Sequence, residues 1–307
     1  LWQPGGGVTI AGKGKVFSLA NGIFLQDTGQ YAINRGLIHG NMGMFLQGDD
    51  VEVENFGKVI GEMMSGIRVT SSTSDIFNGE DALIRGTDGI NTKNAIGATT
   101  RVENHGTIRG ADWAFAGGSG VDIIVNRGKI DGSVLLGNGQ NLFDNRGGTV
   151  TGDVVGGANG DTYLIDDADV SILESDGGGY DTLKTATSFM LDASNEIEVL
   201  TAIGKANINL AGNDIDNRLN GNKGSNMLRG MGGGDWLDGG KDDDVLIGGL
   251  GADHLVFKKG GANDVIKGFA SGEDILYVEN FYLDNGYDEL LDHAKEVDGD
   301  LVIKFGE

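Results

Sequence analysis

Residues 212 to 256 read GNDIDNRLN GNKGSNMLR GMGGGDWLD GGKDDDVLI GGLGADHLV when divided every nine residues. The eighth position is leucine in all five blocks: Leu219, Leu228, Leu237, Leu246 and Leu255. The sixth is Asn217, Asn226, Asp235, Asp244 or Asp253, and glycine opens every block. Turn preference explains short oxygen-bearing residues among glycines, but not five of them at one phase with leucine. A unit of nine divides into a turn of six and a strand of three, its leucine pointing inward and the flanking residues outward. Two units make one flattened coil of 18 residues with a thin aliphatic core. Glycine permits backbone angles that side chains forbid and leaves carbonyls free at the turn edge. Successive coils then bring carbonyls and sixth-position oxygens together as a cage of about six oxygens, which suits a hard cation. Calcium accepts about 6–8 oxygens in flexible geometry, whereas magnesium prefers a tighter octahedron and retains water. Without cysteine or paired histidines there is no zinc site. Several calcium ions are therefore the expected cofactor.

The 56 glycines raise the question of a flexible low-complexity chain, and periodicity decides against it. Pro4 is the only proline, which excludes collagen-like or proline-rich structure. With no cysteine, no disulfide can staple the fold. Residues 1–152 carry 12 Lys+Arg against 15 Asp+Glu, a net of −3; residues 153–307 carry 11 against 31, a net of −20. The acidic half repels itself when compact unless cations neutralise it. No basic stripe appears, so nucleic acid is not an expected partner. No apolar run approaches a membrane span, and no basic, apolar leader stands at the N-terminus. The start at Leu1–Trp2, without Met, suggests part of a longer protein.

The first half has a looser repeat: INRGLIHG (33–40), VENFGKVIG (53–61), IFNGEDALIRG (76–86), VENHGTIRG (102–110), IVNRGKIDG (124–132) and LFDNRGGTVTG (142–152). Each contains Asn, then Gly, then an apolar residue, then a closing Gly. The closing glycines Gly40, Gly61, Gly86, Gly110, Gly132 and Gly152 lie 21, 25, 24, 22 and 20 residues apart. Second apolar pairs such as Met44–Phe45, Ile67–Val69 and Ala114–Phe115 fall between them. Short strands at this period read as one coil per repeat of a right-handed parallel β-helix over 1–152. Asn34, Asn55, Asn78, Asn104, Asn126 and Asn145 are then expected to stack as a hydrogen-bonding ladder at one corner. An ordinary β-sandwich is the alternative. Only 287–297, YDELLDHAKEV, has a helical apolar pattern.

GGANGDTYL (156–164) and GGGYDTL (177–183) are isolated copies of the nine-residue pattern, and KGGANDVIKGF (259–269) reads as a closing coil. GMGGGDWLD, GGKDDDVLI and GGLGADHLV resemble the repeat-in-toxin (RTX, hemolysin-type) nonapeptide G-G-x-G-x-D-x-U-x. The resemblance covers roughly 156–280. It implies a calcium-binding parallel β-roll over 153–280, folding outside a bacterial cell, and export by a type I secretion apparatus. Residues 281–307 would be a C-terminal flank, where VDGDLVIKFGE is similar to the start of a terminal strand pair. Carried over at the 18-residue offset, the resemblance assigns one ion to Asp235 with Asp253, one to Asn226 with Asp244, and pairs Asn217 with the coil of Asp235. Asp161 with Asp181 form a separate site, and Asp264 closes the last coil against Asp244. Backbone donors are expected at Gly230, Gly232, Gly239, Asp242, Gly248, Gly249 and Gly251, Asp242 standing where the motif has glycine. Asn217 and Asn226 supply neutral amide oxygens, so their sites should be weaker.

Catalytic motifs are missing. None of His39, His105, His254 and His293 belongs to H-E-x-x-H, and there is no G-x-S-x-G elbow or P-loop. β-Helices joined to such repeats also occur in polysaccharide lyases and mannuronan epimerases, but the epimerase Asp-Pro-His-Asp signature cannot form with Pro4 alone. Arg68, Arg85, Arg101 and Arg109 either line a groove for an acidic glycan or solvate the surface. The expected function is a secreted, non-catalytic calcium-binding structural or adhesive protein, with self-association or an extracellular glycan or cell surface as partner. The alternatives are a β-helix lyase or epimerase, or the secretion tail of a larger toxin or enzyme.

Overall fold

The computed structural model describes residues 8–10, 15–17, 21–93, 97–174, 177–258, 263–270, 272–279, 294–297 and 300–303. Among them there are strands and turns and no helix, and parallel strands stack as a β-solenoid. No helix is long and apolar enough to cross a membrane. The chain divides into two compact units, Leu1–Leu164 with Asp169–Gly179, and Ile165–Ala168 with Tyr180–Glu307.

In the first unit six successive coils turn a corner at asparagine, from Asn34 to Asn145. The strands Tyr31–Asn34, Val51–Asn55, Thr73–Asn78, Thr99–Asn104 and Val121–Asn126 pair in parallel, each with the next, and their terminal asparagines stand side by side. Alternation along these strands sends every second residue inward. Val53, Ile76, Val102, Ile124 and Phe143 form one inward column, and Ile38, Val59, Ile84, Ile108 and Ile130 a second on the next sheet. All are at most 2% exposed. Parallel pairing at coil offsets is incompatible with the β-sandwich alternative.

The expected ladder is present over its full length. Nδ2 of Asn34, Asn55, Asn78, Asn104 and Asn126 each donates to Oδ1 of the asparagine on the next coil, at 2.6–2.8 Å. The second N–H of each goes to a backbone carbonyl, from Lys58 O at 3.1 Å to Thr149 O at 3.0 Å. These asparagines are fully buried, so satisfaction of both N–H groups is what makes the corner tolerable. Glycine follows because nothing larger fits: a Cβ on Gly106 would stand 2.4 Å from Gly79 O and 2.9 Å from Asn78 Nδ2.

In the second unit the strands are shorter and the repeat tighter. Leu200, Leu219, Leu237 and Leu255 align across one sheet, and Leu210, Leu228, Leu246 and Ile266 across the other. Each is at most 1% exposed, which is the thin aliphatic core that the nine-residue period predicts. Val265–Lys267 closes the second sheet in parallel. Asp300–Ile303 then adds antiparallel to it and pairs with Ala294–Val297. The helical pattern at 287–297 is thus overridden where it is described: Ala294–Val297 is a strand, its backbone bonded to a neighbour rather than to itself. The rest of that pattern, with His293, lies outside the described residues.

Candidate metal centre

The sixth-position residue of each block ends the turn just before its strand, which places it at the edge of the sheet, and the aspartate side chains there meet the preceding coil. Asp235, Asp244 and Asp253 are at most 1% exposed and Asp264 is 4% exposed. In each, Oδ1 accepts the backbone N–H of the sixth-position residue one coil earlier. Asn217 N donates to Asp235, Asn226 N to Asp244, Asp235 N to Asp253 and Asp244 N to Asp264, at 2.7–2.9 Å. The pairs expected from the 18-residue offset are therefore neighbours, linked backbone to carboxylate.

The other oxygen of three of these carboxylates is different. Asp235 Oδ2, Asp244 Oδ2 and Asp253 Oδ2 are buried with no hydrogen-bond donor. Each lies against the first glycine of its own block. A Cβ on Gly230 would sit 2.0 Å from Asp235 Oδ2, one on Gly239 2.3 Å from Asp244 Oδ2, and one on Gly248 2.1 Å from Asp253 Oδ2. The same built Cβ on Gly230 would be 2.5 Å from Gly248 O, so a carboxylate oxygen and a carbonyl oxygen from successive coils converge there. Gly249 and Gly251 have φ of 123° and 116°, Gly251 facing Gly233 O across the coil, a backbone that side-chain-bearing residues avoid. Asp242 adopts φ 63°, the conformation its glycine counterpart would take easily.

Electrostatics point the same way. Burial pushes the Asp235 carboxyl up to about 7, against the lowering effect of the Asn217 N–H and with the charges of Asp253 and Asp216 adding to the rise. Asp244 and Asp264 are pushed to about 7, again chiefly by burial, and Asp253 is raised for the same reason. A buried carboxylate without a counter-charge is costly. A cation ligated by oxygen supplies the missing charge and the missing partner together, and the donor set fits calcium.

Asn217 and Asn226 occupy the same position but act differently. Asn217 Oδ1 accepts from Asn213 N at 2.8 Å and Asn226 Oδ1 from Asn222 N at 2.9 Å, within their own turns. Their Nδ2 atoms donate to Ile197 O at 3.0 Å and Ile208 O at 2.7 Å. Each turns an N–H toward the preceding coil, while its Oδ1 lies against the first glycine of its own block: a Cβ on Gly212 would sit 2.1 Å from Asn217 Oδ1 and one on Gly221 2.7 Å from Asn226 Oδ1. Asp161 and Asp181 are 1% exposed and belong to different units. Asp161 Oδ1 accepts Asn141 N at 2.8 Å, and Asp181 N donates to Glu198 Oε2 at 2.7 Å.

Three residues of this stack were missed in the sequence. Asp274 accepts Asp253 N at 3.0 Å and Ala270 N at 2.7 Å, which extends the series one coil past Asp253. Glu198 stands at the same place before Val199–Ala202, and Asn141 before Leu142–Asp144. The signal was an oxygen-bearing residue two positions before an inward apolar residue, as in Asp274-Ile275-Leu276, independent of repeat length.

Outside the edges, several charged groups are paired. Arg85 meets Glu62 at 3.5 Å, Arg101 meets Asp75 at 3.5 Å and Arg109 meets Asp131 at 2.5 Å, while Arg68 lies over the Phe45 ring. His39 bonds Glu62, His105 bonds Glu103, and His254 stands edge-on to Trp236.

Residues 211–246 and 220–255 match the family model of the RTX calcium-binding nonapeptide repeat, which holds four copies. No curated protein and no solved structure matches the chain. The match falls on the blocks whose carboxylates converge at the turn edges: the chain carries RTX calcium-binding nonapeptide repeats on a β-solenoid.

Proposed function

We propose that this is a secreted, non-catalytic protein with a structural or adhesive role at a cell surface or in a matrix, whose repeat region folds when it meets extracellular calcium. One observation carries it: three buried carboxylate oxygens, on Asp235, Asp244 and Asp253, that no donor among the described residues satisfies. Asp235 with Asp253, and Asp244 with Asp264, would hold the ions, helped by carbonyls such as that of Gly248. Ligands scattered over successive coils are not assembled in the unfolded chain, so binding and folding become one event. Cytosolic calcium would leave these coils open and export-competent, and calcium outside would close them, which accords with type I secretion. The engagement of the arginines and histidines with carboxylates and rings supports a surface without a catalytic cluster. Attachment to a glycan or to a second copy follows from the same surface role.

Circular dichroism of the purified chain tests the calcium step. Strand signal should fall in chelator and return in millimolar calcium, and a spectrum indifferent to chelator would sink it. Incubation with uronate polysaccharides tests the rest: appearance of unsaturated uronate products would replace the non-catalytic reading with a lyase.

A further inference from the structure

On each edge of the second unit, the inter-coil layer that leads into the tandem aspartate blocks is closed by amide N–H groups. On one edge Asn213 Nδ2 donates to Asp192 O at 2.9 Å and Asn195 O at 2.6 Å, and Asn217 Nδ2 to Ile197 O. On the other, Asn222 Nδ2 donates to Ile203 O at 3.2 Å and Ala206 O at 3.0 Å, and Asn226 Nδ2 to Ile208 O. The two edges repeat one arrangement: a second-position and a sixth-position asparagine aim three N–H groups at three carbonyls of the preceding turn. Orientation is settled by chemistry, because Asn222 N can only donate to Oδ1 and Ile208 O can only accept from Nδ2. All four asparagines are at most 9% exposed. In the following blocks the second position is Met231, Gly240 or Gly249 and the sixth is aspartate, so these N–H donors are gone.

We infer that Asn213 with Asn217, and Asn222 with Asn226, are built-in replacements for a cation. They close that layer of each edge without metal and leave a folded template on which the calcium-dependent coils stack. This rests on the calcium reading of Asp235, Asp244 and Asp253 only in that a cation is what the amides replace; the metal independence of the layer stands on its own hydrogen bonds. Backbone carbonyls are the ligands calcium takes, and here amide hydrogens point at them instead. A template lowers the cost of ordering the next coil, since nucleation is the unfavourable step in a repeat array.

Hydrogen exchange of the full chain, in calcium and in chelator, tests it. The amides of Arg218–Asn220 and Met227–Arg229 should keep their protection in chelator. Those of Trp236–Asp238 and His254 should exchange about 100-fold faster, the factor lost with a ligand present at 100 times its dissociation constant. Loss of protection at Arg218–Asn220 in step with Trp236–Asp238 would overturn the inference. Protection at Trp236–Asp238 that survives chelation would instead sink the calcium reading and leave the template standing. The double variant Asn222→Asp, Asn226→Asp should convert the layer: Met227–Arg229 lose protection in chelator and regain it in calcium. Unchanged protection in chelator overturns the inference. Asn222→Ala guards against a variant that fails to fold. It removes three bonds, two from Nδ2 and the one Oδ1 accepts from Gly224 N, and its loss at Met227–Arg229 should appear with and without calcium; no loss overturns the inference. The amides of Val121–Asn126 serve as the control that the chain is otherwise intact.

Discussion

Asp144 in the first unit and Asp235 in the second are both buried carboxylates, and the protein neutralises them by different means. Asp144 is gripped by two guanidinium forks: Arg127 donates to both its oxygens at 3.1 and 2.7 Å, and Arg146 does the same at 2.9 and 2.7 Å. Asp235 has one backbone N–H and an oxygen without any donor. The corners differ in the same sense. Amides close the first unit's corner along its length, whereas carboxylates line most of the second unit's edges. One unit carries its counter-charges in its own sequence, and the other leaves carboxylate oxygens for a cation to satisfy.

Calcium withdrawal should break this comparison most visibly. Each ion present at about 100 times its dissociation constant contributes roughly 2.7 kcal/mol, so two ions account for about 5 kcal/mol. Thermal unfolding followed by hydrogen exchange should show the later coils of the second unit lost on chelation and the first unit unmoved. An equal loss in both units would mean that the ladder does not stand by itself.

The converse experiment strikes the ladder. Asn104 accepts from Asn78 and donates to Asn126 and to Lys129 O. Asn104→Leu removes three hydrogen bonds from a buried corner, at a cost of about 3 kcal/mol. Chemical denaturation should register that loss equally in calcium and in chelator. A loss that calcium repairs would blur the distinction between the units.

Acid should act on the two units with opposite sign. Burial works to raise the Asp144 carboxyl, but the hydrogen bonds of Arg146 and Arg127 outweigh it and hold it well below the usual range. A lowered folded value gives stability that is present above the unfolded carboxyl value and lost as pH falls toward the folded one. Asp235, Asp244 and Asp264 are raised to about 7, so in chelator their protonated forms favour the folded edge at low pH. That contribution is complete below the unfolded value and disappears as pH rises through about 7. In chelator, moving from about pH 8 to about pH 5 should return protection to the edges around Asp235 and Asp244. The loss at Asp144 should begin only below about pH 4. In calcium the first transition should vanish, because the ion displaces the proton.

Much of this contrast was legible before any coordinates. Five leucines at one phase gave the thin core, and six asparagines each followed by glycine gave the ladder, because regular side-chain stacking leaves a regular trace. Asp274, Glu198 and Asn141 escaped because coil length varies around them, which breaks the period although the local geometry persists. The amide hydrogen bonds of Asn217 and Asn226 escaped for another reason. Asn and Asp share size and turn preference, and only the presence of a carbonyl or an N–H on the facing turn decides which is satisfied. At Ala294–Val297 an amphipathic pattern lost to pairing with Asp300–Ile303, a tertiary effect that no local window contains.

The smallest effect belongs to charges that water already satisfies. Arg101 and Asp75 meet at 3.5 Å with side chains 58% and 69% exposed. Such pairs contribute at most about 1 kcal/mol, and often nothing measurable. Arg101→Gln should leave the unfolding midpoint of the first unit unchanged, with or without calcium. This sharpens the comparison, since it separates buried carboxylates that need a dedicated partner from exposed ones that do not. Binding of the variant to acidic polysaccharide gives a second readout that stability cannot supply. Unchanged stability with unchanged binding assigns Arg101 to surface solvation, whereas unchanged stability with lost binding would make it part of a glycan-contacting row with Arg85 and Arg109.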